Sequence, residues 1–64
     1  MLTGKIKNWD SQKGWGFIEG DDGNDYFAHA SKVRSGQNIR LGLRVKFDIF
    51  ETSRGSEAEN ITLY

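Results

Sequence analysis

The chain has no cysteine and no proline, and it has one histidine among its 64 residues. Without cysteine there is no disulfide, and a single histidine falls short of a usual zinc ligand set, so neither kind of staple is available. No metal and no cofactor is expected. Stability must come from packing alone, which for a domain this short amounts to about 3–5 kcal/mol. No apolar run approaches the ~20 residues that span a bilayer. The opening Met1-Leu2-Thr3-Gly4-Lys5 lacks the apolar region of a secretory leader. The expectation is a cytoplasmic protein with no membrane partner, and the lack of cysteine accords with a reducing compartment. Charge of one sign is missing too: nine Lys and Arg balance nine Asp and Glu. No broad positive field is available to capture duplex DNA, so any nucleic acid must be held by something besides charge.

A chain this short buries only about 60% of its unfolded surface, so residues 1–64 form one domain. No stretch of ten or more residues repeats apolar groups at helical spacing; short alternating runs are broken instead by glycine or by Asp, Asn and Ser. The pattern is all-β. It predicts strands at about 2–10, 14–20, 24–30, 43–51 and 57–64, five short strands in one small domain, as in an OB-like barrel. Asp10-Ser11-Gln12, Gly20-Asp21-Asp22-Gly23-Asn24 and Thr52-Ser53-Arg54-Gly55-Ser56 carry turn chemistry. Ser31 to Gly42 reads as a loop that opens with one helical turn capped by Ser31.

Strand side chains alternate between faces, so Trp15 and Phe17 point one way and Ile18 the other. In the next strand Asp25, Phe27 and His29 share one face while Tyr26 and Ala28 share the opposite one. A hairpin across Gly20–Asn24 brings Trp15, Phe17, Phe27 and His29 together. Adjacent aromatics more often fill a core than a surface. Here the same face carries Asp25 and His29, with Lys13 at its edge, and burying unpaired polar groups costs about 1–3 kcal/mol each. The other face supplies Ile18, Tyr26 and Ala28, which with Ile6, Val45, Phe47, Ile49, Ile61 and Leu63 make a core. Gly14 and Gly16 beside the rings permit a bulge or a close backbone approach.

Lys13-Gly14-Trp15-Gly16-Phe17-Ile18 is close to the ribonucleoprotein pattern Lys/Arg-Gly-aromatic-Gly-Phe-Val, whose rings stack on unpaired bases. The RNA-recognition-motif fold that shares it needs two amphipathic helices and a longer chain. Together with Asp25-Tyr26-Phe27-Ala28-His29-Ala30-Ser31, Gly4-Lys5-Ile6-Lys7 and Arg54-Gly55 before Ala58-Glu59-Asn60-Ile61, the segment makes the whole chain resemble a bacterial cold-shock protein or cold-shock domain. The resemblance implies an all-β, five-stranded antiparallel OB-fold barrel that binds single-stranded RNA or DNA and acts as an RNA chaperone, not an enzyme. It implies stacking at Phe17, Phe27 and His29, with Trp15 in place of a usual phenylalanine. It further implies Lys7, Lys13 and Arg54 near the nucleic-acid backbone and Asp25 accepting from a base edge.

Two departures bear on binding. Where the family has Lys-Trp-Phe-Asn, this chain has Lys7-Asn8-Trp9-Asp10, and Ala30 stands where the family has phenylalanine. Trp9 joins the interface only if a bulge re-aims it; otherwise it takes the neighbouring aromatic's packing role. Weaker binding over a shorter footprint is expected. His29 has no second histidine or cysteine with which to form a catalytic or metal site, and Asp21, Asp22 and Asp25 lack the ligand spacing of a calcium loop. A monomer is expected, with strand exchange as a route to a dimer. The rival readings are an SH3-like barrel binding a peptide in the aromatic groove, and a cold-shock fold whose nucleic-acid binding is weakened.

Overall fold

The computed structural model describes residues 1–34 and 38–64. Five strands, β1 (Leu2–Asp10), β2 (Trp15–Gly20), β3 (Asp25–His29), β4 (Arg44–Thr52) and β5 (Gly55–Leu63), form a closed barrel in the order β1-β2-β3-β5-β4. The centre of the expected loop, residues 35–37, lies outside the described residues.

The strands of a ring with an odd number of members cannot alternate in direction all the way round. The expectation of an antiparallel barrel therefore needs one correction. β1–β2, β2–β3, β4–β5 and β1–β4 pair antiparallel, but β3 and β5 run parallel and meet at Phe27 and Glu57.

Ile6, Ile18, Tyr26, Ala28, Val45, Phe47, Ala58 and Ile61 fill the interior. Trp15, Phe17 and Phe27 are not among them. Ile49 and Leu63, expected inside, are 37% and 43% exposed. β1 pairs with β4 only from Arg44 to Phe47, so Ile49 lies beyond the reach of that neighbour. Leu63 is the last residue of β5, well past the contact with β3. Ala58, opposite Ile49, is buried.

Two bulges reset the alternation. In β1 the register slips between Ile6 and Asn8, which leaves Lys7 as the extra residue and sets Asn8 opposite Phe17 and Trp9 opposite Gly16. In the β4–β5 ladder it slips between Lys46 and Asp48, where Asn60 adopts a positive φ of 52°. Asparagine tolerates that left-handed region better than most residues.

A 3-10 turn, Ala30–Lys32, follows β3. Its cap is His29, not the expected Ser31: the imidazole Nδ1 accepts the Ser31 backbone N–H at 3.1 Å. A ring nitrogen flanking the turn serves where a hydroxyl was expected.

Candidate nucleic-acid interface

The β2–β3 hairpin sets the site by register. Trp15 is opposite His29 and Phe17 opposite Phe27, each pair on the outer side of the barrel, while Gly16–Ala28 and Ile18–Tyr26 face inward. The ring centroids of Trp15 and Phe27 are 5.8 Å apart at 33°, and those of Phe17 and Phe27 5.8 Å apart at 77°. Trp15 and Phe17 meet edge to face at 6.3 Å and 86°. All three rings are half-buried by one another and keep part of their surface in water. His29 is exposed beside Trp15. Its Nδ1 accepts the Ser31 backbone N–H at 3.1 Å and lies 2.9 Å from the Ser31 hydroxyl oxygen.

The hairpin needs Gly16. A Cβ there would run into the carbonyl oxygen of Asn8 and the Cα of Trp9, because β1 crosses closest at that point. Gly14, at φ 78°, ends the preceding turn, in which Asp10 Oδ1 accepts the backbone N–H groups of Gln12 and Lys13 at 3.1 and 3.0 Å. The turn leaves the Lys13 side chain exposed at the edge of the hairpin.

Trp9 takes the packing role. The bulge at Lys7 turns Asn8 outward and Trp9 inward, where it packs against the core; part of it still lines a shallow recess with Asn8, Asp10, Trp15 and Phe17. The outward position beside Phe17 is thus held by an exposed amide. Ala30 is exposed at the end of β3 and adds no ring.

Lys7 and Asp25, expected as separate contacts, are bonded to each other, with Nζ donating to Oδ2 at 2.6 Å. That hydrogen bond, helped by the carboxylate charge, raises the Lys7 pKa. Both side chains are nearly half exposed, at 48% and 43%. Arg54, in the β4–β5 turn, lines a second recess of about 200 Å³ with Phe17, Phe27, Ser56 and Glu57. Lys7, Trp15, Phe17, Asp25, Phe27, His29 and Arg54 therefore surround one outer face, and Lys13 is exposed in the turn that leads into β2. Glu57 and Ser56 were not anticipated. Strand alternation from the buried Ala58 points Glu57 outward, but its place beside Phe27 depends on the parallel contact, which leaves no mark in the sequence.

The other candidate clusters are engaged in structure. Asp21 binds Arg44 in a bidentate pair at 3.0 and 2.9 Å and also accepts from the Thr3 hydroxyl. The guanidinium, then that hydroxyl, hold its carboxyl down at about 2. Asp22 accepts from the Tyr26 hydroxyl and the Asn24 amide, and the tyrosine bond chiefly lowers its pKa. Among the described residues no group of His, Cys, Asp and Glu is arranged to hold a metal ion, and no helix is long and apolar enough to cross a membrane.

A closed five-stranded β-barrel with clustered rings half in water on two neighbouring strands belongs to the class of small OB-like barrels. Comparison with known proteins narrows the class. Residues 2–64 match the family model described as the 'Cold-shock' DNA-binding domain. The chain is 37% identical over 62 residues to the cold shock-like protein CspC of Bacillus cereus, covering 94% of this chain and 95% of that one. It is 40% identical over 62 residues to cold shock-like protein CspE of Bacillus anthracis, covering 94% and 92%. It is 39% identical over 64 residues to the major cold shock protein of Streptococcus pyogenes, covering 97% and 96%. The barrel superposes on the solved structure named drosophila Unr CSD456 with a TM-score of 0.83 at 20% identity, over 98% of this chain and 26% of that longer one, a likeness of fold. The chain belongs to the cold-shock domain family, whose members are nucleic-acid binders and not enzymes.

Proposed function

We propose that this protein binds single-stranded RNA or DNA by stacking unpaired bases on Trp15, Phe17, Phe27 and His29. Lys7, Lys13 and Arg54 meet the phosphates, and Asp25 accepts from a base edge. By holding the unpaired state the protein draws RNA hairpins towards the open form, a passive chaperone activity that needs no cofactor. The observation that carries the reading is the outward cluster of three rings beside a core complete without them. The relatives' names and the family description point the same way. A cytoplasmic monomer is part of the same reading.

The ring geometry constrains the path. A base lying flat on Phe17 stands nearly at right angles to one lying flat on Trp15, so the strand turns between them and its own base stack is broken there. Lys7 must let go of Asp25 to reach a phosphate. Exposed pairs of this kind contribute little, so the exchange is cheap. Trp9 serves as a wall of the interface and not as a stacking plane.

Titration with oligothymidine while following tryptophan emission tests the proposal, since a base on Trp15 quenches it. Phe17→Ala and Phe27→Ala should each weaken binding by about 1–3 kcal/mol. Unchanged emission at high micromolar oligonucleotide would point instead to a peptide groove of the SH3-like kind. A weakened binder is the second reading, favoured by the exposed amide of Asn8 on the outer face beside Phe17. On that reading affinity is low, and neither alanine variant lowers it further.

A further inference from the structure

The recess between the aromatic hairpin and the β4–β5 turn offers chemistry that stacking alone does not use. Phe17 and Phe27 form its apolar part, and Arg54, Ser56 and Glu57 its polar part. Glu57 stands opposite Phe27 in the parallel contact, so its side chain shares the outward row with the ring. Its Oε2 lies 3.2 Å from the Thr52 hydroxyl. That hydroxyl is also 2.9 Å from the Gly55 carbonyl oxygen and has one proton to give, so it serves the two acceptors in turn. Among the described residues Glu57 forms no ion pair, although Arg54 lines the same recess. A carboxylate without a cation repels phosphate. The Glu57 side of the recess therefore suits the N–H groups of a base edge, and the backbone is left to the Arg54 side.

We infer that the recess selects guanine, with Glu57 accepting from N1–H and the N2 amino group. The inference rests on reading the hairpin as a base-binding surface. A carboxylate only accepts, and its two oxygens match two donors side by side. Guanine presents that pair on its Watson–Crick edge. Adenine and cytosine each set one amino group beside an acceptor nitrogen, and thymine and uracil set one N–H between two carbonyl oxygens that would confront the carboxylate. The remaining group on the guanine edge, O6, is an acceptor, and Arg54, in the same recess, has five N–H donors, enough to serve O6 as well as a phosphate. The base lies flat on one of the two rings, which stand 77° to each other, and Glu57 takes its edge.

The test uses the intact protein and hexathymidylate, alone or with one guanine, hypoxanthine or adenine placed at each position in turn. For the unsubstituted protein, guanine at one position should tighten binding about fivefold or more over thymine, the low end of what a bidentate base contact gives. Hypoxanthine, which lacks the N2 amino group, should lose most of that gain, and adenine should show none. Glu57→Gln places an NH2 where an acceptor stood and should abolish the guanine preference, as should Glu57→Ala. Equal binding of guanine and thymine at every position overturns the inference and leaves the stacking surface standing, as does a guanine preference that survives Glu57→Gln. Failure of every hexamer to bind overturns the stacking surface and the guanine subsite together.

Discussion

Trp9 lies directly opposite Gly16 in the β1–β2 register, with its ring turned to the core and its backbone pressed against the glycine. The neighbouring rings Trp15 and Phe17 can sit on the outer face because position 16 lets β1 come this close. Gly16→Ala forces the two backbones apart, and overpacking of this sort costs about 1–3 kcal/mol, a large part of the stability of so small a domain. Urea unfolding should show a clearly lower midpoint, with tryptophan emission of the folded state altered. An unchanged midpoint would mean that β1 does not approach as described.

Asn8 occupies the outward position beside Phe17. Asn8→Trp places a fourth large ring in the row and should strengthen oligothymidine binding by about 1–3 kcal/mol, the worth of one more stacked base. Trp9→Phe, on the inner side, should alter stability more than affinity. If Asn8→Trp leaves binding as it was, the bulge at Lys7 does not aim position 8 at the ligand.

With balanced charge and Lys7, Lys13 and Arg54 as the phosphate contacts, binding should respond weakly to salt. Two to four contacts give a slope of log affinity against log salt of roughly −1.5 to −3 for a single strand. A slope steeper than about −5, measured by the same emission titration at several salt concentrations, would require a charged surface other than the one described.

Asp21 ties Thr3 in β1 and Arg44 in β4 to the β2–β3 turn. Its carboxyl is held at about 2 in the fold against an ordinary 3.8, so the folded state binds the proton less readily than the unfolded one. The resulting stabilisation is complete above the ordinary value and is lost as the pH falls from about 4 towards 2. Thermal midpoints of the protein and of Asp21→Asn should differ at neutral pH and converge near pH 2. Parallel curves across that window would show that the Arg44 pair adds nothing.

Phe47 is completely buried, and Phe17 is half in water. Phe47→Ala should cost about 3–5 kcal/mol, as much as the domain's whole stability, and leave the chain unfolded by circular dichroism. Phe17→Ala should fold and lose affinity. If Phe17→Ala also unfolds, the outer rings are structural.

Much of this was legible in the sequence because it is carried by local pattern. The alternation of Trp15, Phe17, Phe27 and His29 against Ile18, Tyr26 and Ala28 fixed two faces, and the glycines and aspartates fixed the turns. What escaped depends on how strands meet. The outward turn of Asn8 follows from one extra residue at Lys7, and the exposure of Ile49 from the short reach of β1 along β4. The placing of Glu57 beside Phe27 follows from ring closure. The Lys7–Asp25 bond likewise joins residues of two strands whose distance no spacing along the chain encodes.

The contact at Phe27 and Glu57 is also the thinnest line of backbone bonding in the barrel. Antiparallel ladders hold the other neighbours over several residues, whereas β3 and β5 share one paired position, with a second bridge from Val33 to Ile61. Thermal opening should start there, and amide protons along that line should exchange with solvent before those of β1 and β2. A strand seated across Phe27 and Arg54 would straddle this weak line, so occupancy should slow exchange on both sides of it and make the ligand a clasp for the cylinder that carries it.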